Sequence, residues 1–306
     1  MLPIYFAPLQ GYTDCAYRNA HDKIFGGVSE YYTPFIRIER GDLRPKDVRE
    51  ILLENDTTGK VIPQIIVKDV DEFTFIVDRV ADVGHRRIDV NMGCPYPMQT
   101  RKGRGAGLLS NKESFVKILK AINERENIDF SIKMRLGNEK YDEALNLIPI
   151  LNDTRLKHIT MHPRVAIQQY KGEVNLEMFG EFQDRCNHKI IYNGDVVSIE
   201  DINRIENLFP KVCGIMIGRG LLQQPSLAIE YVSGTSFTDD EKLQRVMQLH
   251  EELYEHYSCV LQGDSHLLIK MKTFWEYLEN IIGHKKYKAI KKSVSMAKYN
   301  IAIANI

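Results

Sequence analysis

Arg87-Ile88-Asp89-Val90-Asn91-Met92-Gly93-Cys94-Pro95 reads as a strand that stops on a turn carrying a thiol. Glycine admits unusual backbone angles, and proline fixes φ and prevents the strand from continuing, so Cys94 is held at the mouth of a fold. A lone thiol is otherwise a small buried apolar residue, and the rest of the chain must decide between the two. Working outward, the same texture recurs. Candidate strands are Ile4–Ala7, Val28–Tyr32, Val61–Val67, Arg87–Asn91, Ser131–Met134, His158–Met161, Lys189–Tyr192 and Gly214–Ile217. Helical patterns such as Glu72–Val83, Lys112–Glu126, Asp142–Asn152 and Ile199–Leu208 lie between them. Eight strands alternating with helices predict an α/β fold, a TIM (β/α)8 barrel. A doubly wound dinucleotide fold would need Gly-x-Gly-x-x-Gly after the first strand, and none is there.

After Gly234 the pattern turns helical to Ile306, interrupted at Gln262-Gly263-Asp264 and at Gly283. Ser233-Gly234-Thr235-Ser236 reads as a linker, and Thr238 as an N-cap ahead of Asp239, Asp240 and Glu241. The expected organisation is a catalytic barrel over 1–234 and an all-helical bundle over 235–306. The 306 residues suit one barrel with an appendage, and 43% hydrophobic with 27% charged residues is ordinary for a soluble globular protein. The five cysteines form no CxxC pair, which argues against a zinc site and a disulfide framework. With no signal-peptide pattern and no spanning apolar run, the expectation is a cytoplasmic monomer without membrane or metal partners. Net charge is zero, yet from Ile281 onward no acidic residue accompanies Lys285, Lys286, Lys288, Lys291, Lys292 and Lys298. Such a tail either steers a polyanion or is a solvated helix face.

A TIM barrel keeps its active site at the carboxyl ends of the strands. Those ends here carry Pro8, Leu9 and Gln10; Gln64; Asn91 and Cys94; Lys133 and Arg135; His162 and Arg164; Asn193-Gly194-Asp195; and Gly218-Arg219-Gly220. The last two turns follow strands seven and eight, where this fold builds phosphate sites from backbone N–H groups, and Arg219 adds a charge. Lys133 lies between Ile132 and Met134 and points into the barrel. A buried ammonium needs an anion: either Asp89 or Asp195 as a structural pair, or a cofactor that becomes electron-rich on reduction. Arg101, Lys102 and Arg104 form a basic loop beside Cys94.

Together these residues resemble the tRNA-dihydrouridine synthase family of flavoproteins. The matching pieces, in family order, are Ala7-Pro8-Leu9-Gln10-Gly11-Tyr12-Thr13-Asp14, Asn91-Met92-Gly93-Cys94-Pro95, Gly105-Ala106-Gly107-Leu108-Leu109, Lys133-Met134-Arg135-Leu136-Gly137, His162-Pro163-Arg164, Asn193-Gly194-Asp195 and Ile215-Met216-Ile217-Gly218-Arg219-Gly220. Gly263-Asp264 and the 270–277 stretch look like the family's C-terminal RNA-recognition region, most like the subgroup acting on uridine 16 of the D-loop. The resemblance implies FMN reduced by NADPH, hydride transfer from flavin N5 to C6 of a flipped uracil, and Cys94 as the proton donor to C5. It implies Pro8, Leu9 and Gln10 along the flavin ring, Gln64, Lys133 and His162 at its polar edge, and Asn193, Gly194, Asp195, Gly218 and Arg219 at its phosphate. Asn91, Arg135, Arg164, Arg101 and Lys102 are expected toward the uracil and its strand, and Lys285, Lys286 and Lys288 toward tRNA. His162-Pro163-Arg164-Val165-Ala166 departs from a more usual His-Gly-Arg-Thr-Arg and lacks one basic residue. Two other functions remain compatible with the residues alone: a flavin reductase of a free pyrimidine or enone, and a barrel that binds RNA without chemistry.

Overall fold

The computed structural model describes residues 1–306. Nine parallel strands form one ring: β1 Ile4–Phe6, β2 Glu30–Tyr32, β3 Val61–Ile62, β4 Gln64–Ile65, β5 Arg87–Met92, β6 Asp129–Gly137, β7 Ile159–Val165, β8 Ile190–Tyr192 and β9 Ile215–Ile217. β3 and β4 are halves of one barrel strand split at Pro63, whose ring nitrogen cannot donate to the ladder. β3 pairs with β2 and β4 with β5, while β9 pairs with β1, so the ring closes with eight staves. This is the TIM barrel that the alternation of strands and helices predicts.

Several boundaries move. β6 runs to Gly137 and β7 to Val165, so Arg135, His162 and Arg164 lie within strands rather than beyond their ends. These two strands pair over most of their length, with a register shift between Arg135 and Gly137. The helix expected over 142–152 shrinks to Ile148–Asn152 after a short 3-10 turn. A two-residue antiparallel ribbon, Ile38–Glu39 with Asp42–Leu43, goes unsignalled in the sequence because each arm is too short to show alternation.

Beyond the barrel, Thr238 caps the helix Asp239–Val260 through a reciprocal pair with Glu241: the Glu241 N–H donates to Thr238 Oγ1 at 3.3 Å, and the Thr238 N–H to Glu241 Oε2 at 2.7 Å. Helices Asp264–Phe274, His284–Lys292 and Met296–Ile303 follow, with the expected breaks at Gly263 and Gly283, both at positive φ, and an unexpected one at 293–295, where Ser295 caps the last helix. The helical region is not loosely tethered. Val246, Leu249, Leu253 and Tyr257 belong to the same apolar core as the barrel. Asp14 adds a polar joint: it caps the helix Cys15–Ile24, accepts the Tyr257 hydroxyl at 2.7 Å and pairs with the Lys270 ammonium at 2.8 Å.

Candidate active site

Parallel register places the polar residues in rows. Gln64, Asp89 and Ser131 are partners across β4, β5 and β6, and Asn91, Lys133 and Thr160 form the next row toward the carboxyl end. Arg135 and His162 share the row above. Because strand side chains alternate, residues two apart face the same way. Polar Asp89, Asn91, Lys133, Arg135 and His162 therefore line the barrel interior toward one mouth, while Ile88, Val90, Met92, Ile132 and Met134 pack into the apolar core.

The turn bearing Cys94 is templated by one side chain. Asn91 Oδ1 accepts from the N–H of Gly93 at 3.1 Å and of Cys94 at 2.8 Å. Asn91 Nδ2 donates to Gln64 Oε1 at 2.7 Å, and Gln64 Nε2 donates to Asp89 Oδ2 at 2.7 Å. The next turn presses close: a Cβ on Gly105 would stand 2.8 Å from that of Cys94. The thiol is half-buried, and burial pushes it above its ordinary pKa despite the pull of Arg135 and Lys133. It stays protonated at neutral pH, which suits a proton donor and not a nucleophile.

Lys133 is Asn91's direct neighbour across the ladder, so the ammonium and the thiol share one mouth. Burial, then the nearby Arg135 cation, lower its pKa to about 8, against opposing pulls from Asp89 and Cys94. Neither expected structural partner is free for it. Asp89 is engaged by Gln64 and by Ser131 Oγ, and Asp195 by two arginines. His162 is buried, and burial with four surrounding cations holds it far below the usual histidine range. Arg164 Nη1 lies 3.1 Å from His162 Nε2. A guanidinium only donates, so Nε2 accepts and the ring's single proton is assigned to Nδ1.

The opposite side is ionic. Arg164 is 1% exposed and holds Asp195 through both guanidinium nitrogens, with a further bond of 2.6 Å to the Gly172 carbonyl. Expected to meet substrate, Arg164 instead lies beneath the mouth as an internal brace. Asp195 sits in the left-handed region at φ 42 and also meets Arg219 Nη2 at 3.4 Å. Asn193 Nδ2 bonds the Met216 carbonyl at 2.7 Å and ties β8 to β9. The N–H groups of Gly194, Asp195 and Gly218 find no acceptor in the protein. Gly194 lies in a tight place, since a Cβ there would stand 3.0 Å from Val174 Cγ1. Arg135 donates to the Gly93, Val165 and Gln169 carbonyls, so it too is a brace, one that ties β6 to the Cys94 turn.

One member of this rim escapes the sequence reading. Tyr170, 52% exposed, has the Arg219 guanidinium 4.5 Å and the Arg135 guanidinium 5.4 Å from its ring centroid. It lies in a loop with no periodicity, and its only local signal is that it follows Gln169, at φ 52. Among the other expected residues, Pro8 and Leu9 are half-buried, and exposed Gln10 donates to the Phe35 carbonyl at 3.0 Å. Arg101 and Lys102 are exposed, but Arg104 is buried against Glu72, at 2.9 Å from Nε. The basic loop therefore offers two cations, because the third anchors it. Lys285 and Lys288 are exposed, and Lys286 donates to the Ile306 carbonyl at 2.8 Å.

The sequence matches the family model described as Dihydrouridine synthase over residues 5–304, a span that includes the helical region. The chain belongs to this family. It is 30% identical over 234 residues to the tRNA-dihydrouridine(16) synthase of Neisseria meningitidis serogroup B, covering 74% of this chain and 69% of that one. It is 34% identical over 157 residues to a tRNA-dihydrouridine(47) synthase [NAD(P)(+)]-like protein of Xenopus tropicalis, covering 51% of this chain but only 24% of that relative's length. Among solved structures, the old yellow enzyme from Trypanosoma cruzi superposes with a TM-score of 0.55 at 8% identity over 79% of this chain and 92% of the other, which speaks to the fold. No helix is long and apolar enough to cross a membrane.

Proposed function

We propose that the chain is a tRNA-dihydrouridine synthase, which saturates the C5–C6 bond of a D-loop uridine in tRNA with FMN as cofactor, NADPH as reductant and Cys94 as the acid. The observation that carries this reading is the sharing of one barrel mouth by a protonated thiol and an ammonium with no protein counter-ion of its own. When bound, FMN would supply the hydride. The site's chemistry fits it. Lys133 offers positive charge beside an electron-rich ring, and His162 Nδ1 offers a neutral donor. The unpartnered N–H groups of Gly194, Asp195 and Gly218, with Arg219, suit the phosphate. Pro8 and Leu9 supply apolar contact. Gln64 would serve only with its remaining lone pair, since both ends of its amide are already bonded.

Asn91 and Arg135 act on the uracil side by holding the Cys94 turn. Arg164 and Asp195 act one layer below, by holding the phosphate turn. Tyr170, half exposed beside two cations, offers aromatic surface at the rim against which a displaced base can pack. Arg101, Lys102, Lys285 and Lys288 supply charge for the RNA backbone, with residues 235–306 as the helical recognition region and the neutral remainder keeping binding local. The match to a relative named for position 16 favours a D-loop site.

The test uses unmodified tRNA transcript, the purified protein, FMN and NADPH, with dihydrouridine mapped by mass spectrometry. One new dihydrouridine at a D-loop position, formed less readily as salt rises, is the expected result. Equal turnover of free uridine at every salt concentration would favour a small-molecule reductase, and a protein that binds tRNA without reducing it would overturn the enzymatic reading.

A further inference from the structure

The hydrogen-bond chain under Cys94 runs in a fixed sense, which follows from its unambiguous end. The backbone N–H groups of Gly93 and Cys94 only donate, so Asn91 turns Oδ1 toward them. Its amide nitrogen then faces Gln64, which must present Oε1. Gln64 Nε2 is thereby aimed at position 89, where only an acceptor completes the chain. Asp89 provides it, with its second oxygen 2.6 Å from Ser131 Oγ. Asp89 and Gln64 are both 0% exposed, so a mismatched donor there has no solvent to turn to. With Gln64 reversed, two amide NH2 groups would oppose each other at Asn91. Reversing Asn91 as well would set its NH2 against two backbone N–H groups.

We propose that Asp89 is a positioning residue for Cys94: a buried acceptor that locks the Ser131–Asp89–Gln64–Asn91 relay in the one sense that holds the turn carrying the thiol. The inference rests on the reading of Cys94 as the proton donor and adds what fixes its place. It requires an acceptor facing Gln64, not a charge. Asparagine at 89 can offer its carbonyl oxygen to Gln64 and its amide to Ser131 Oγ, whereas leucine can do neither.

The experiment compares Asp89→Asn, Asp89→Leu, Cys94→Ala and the Asp89→Leu/Cys94→Ala double variant, with the rate of dihydrouridine formation measured per bound flavin after pre-reduction. Asp89→Leu is expected to slow formation by about 10-fold or more, the effect of leaving one buried donor unmatched. Asp89→Asn should stay within about threefold, and the double variant should be no slower than Cys94→Ala. A second readout needs no activity. In flavin-free protein, alkylation of Cys94 relative to exposed Cys259, followed by peptide mapping, should rise about fivefold or more in Asp89→Leu and not in Asp89→Asn, as the turn loosens. Should Asp89→Leu fail to fold, Gln64→Met breaks the same chain one link higher and must give the same alkylation shift. Wild-type rate and alkylation ratio in the leucine variant would overturn the proposal, as would an asparagine variant that falls equally far. If Cys94→Ala itself forms product normally, the acid assignment fails; if it is inactive while Asp89→Leu is unimpaired, only the positioning role fails.

Discussion

The two sides of the barrel mouth are organised by opposite means. On the β4–β6 side, one carboxylate at the base orients a chain of neutral amides, and the thiol above it remains uncharged. On the β7–β9 side, Arg164, Asp195 and Arg219 form an ionic cluster beside backbone N–H groups that have no acceptor in the protein. The difference shows how one fold keeps a thiol protonated across the mouth from a cluster of paired charges. Burial with directional hydrogen bonds favours neutral groups, whereas paired charges hold a backbone in place without neutralising its donors. Lys133 stands between the two and belongs fully to neither.

Substitutions can break this contrast, and the largest expected effect is at Cys94. Cys94→Ala should cut dihydrouridine formation by about 10²–10⁴-fold, the range of a lost general acid, while the protein stays yellow and is still reduced by NADPH. Unimpaired product formation would place the acid elsewhere. Lys133→Met should weaken FMN binding by about 10–100-fold, the loss of one buried charge-assisted contact. The wild-type site carries a pH signature of its own. A pKa depressed to about 8 means that the ammonium is charged below that pH and neutral above it, so FMN affinity should fall as pH rises through about 8. The methionine variant should show no such step; fluorescence quenching of FMN against pH measures both.

Smaller effects sharpen the ionic side. Arg164→Leu removes the buried half of a pair whose other half is partly exposed, so the cost should be about 2 kcal/mol, below that of a fully buried pair. Thermal melts read that loss, and FMN affinity should drop with it as the phosphate turn relaxes. The smallest change is expected in the helical region. Lys285, Lys286 and Lys288 together changed to alanine should weaken tRNA binding a few-fold and flatten its salt dependence, with flavin content kept. Lys286 should contribute least, because its ammonium already meets the Ile306 carbonyl.

Much of the site is legible without coordinates. Most of the motifs lie in the carboxyl-terminal half of a strand or in the turn after it, and the barrel rule gathers those ends onto one face. Cys94, Lys133 and the two glycine turns could be chosen because their chemistry is unusual for where they lie: a thiol before proline, an ammonium among apolar residues, glycines after the last two strands. Asp89 and Tyr170 could not be chosen in that way. Asp89 reads as one polar residue in an apolar strand, and Tyr170 as a loop aromatic, until the register and the neighbouring arginines give each a role.

The sequence by itself determined the stave pattern, the helix breaks at Gly263 and Gly283 and the residue types brought to the mouth, since all of these follow from local periodicity, capping and turn chemistry. Only the tertiary structure decided which polar groups remain available. Arg164, Arg104, Arg135 and Gln64 are equal in sequence to groups that face outward, yet each is engaged by a partner far along the chain. A side chain's availability depends on what closes around it, and barrel closure brings together residues that no local pattern connects.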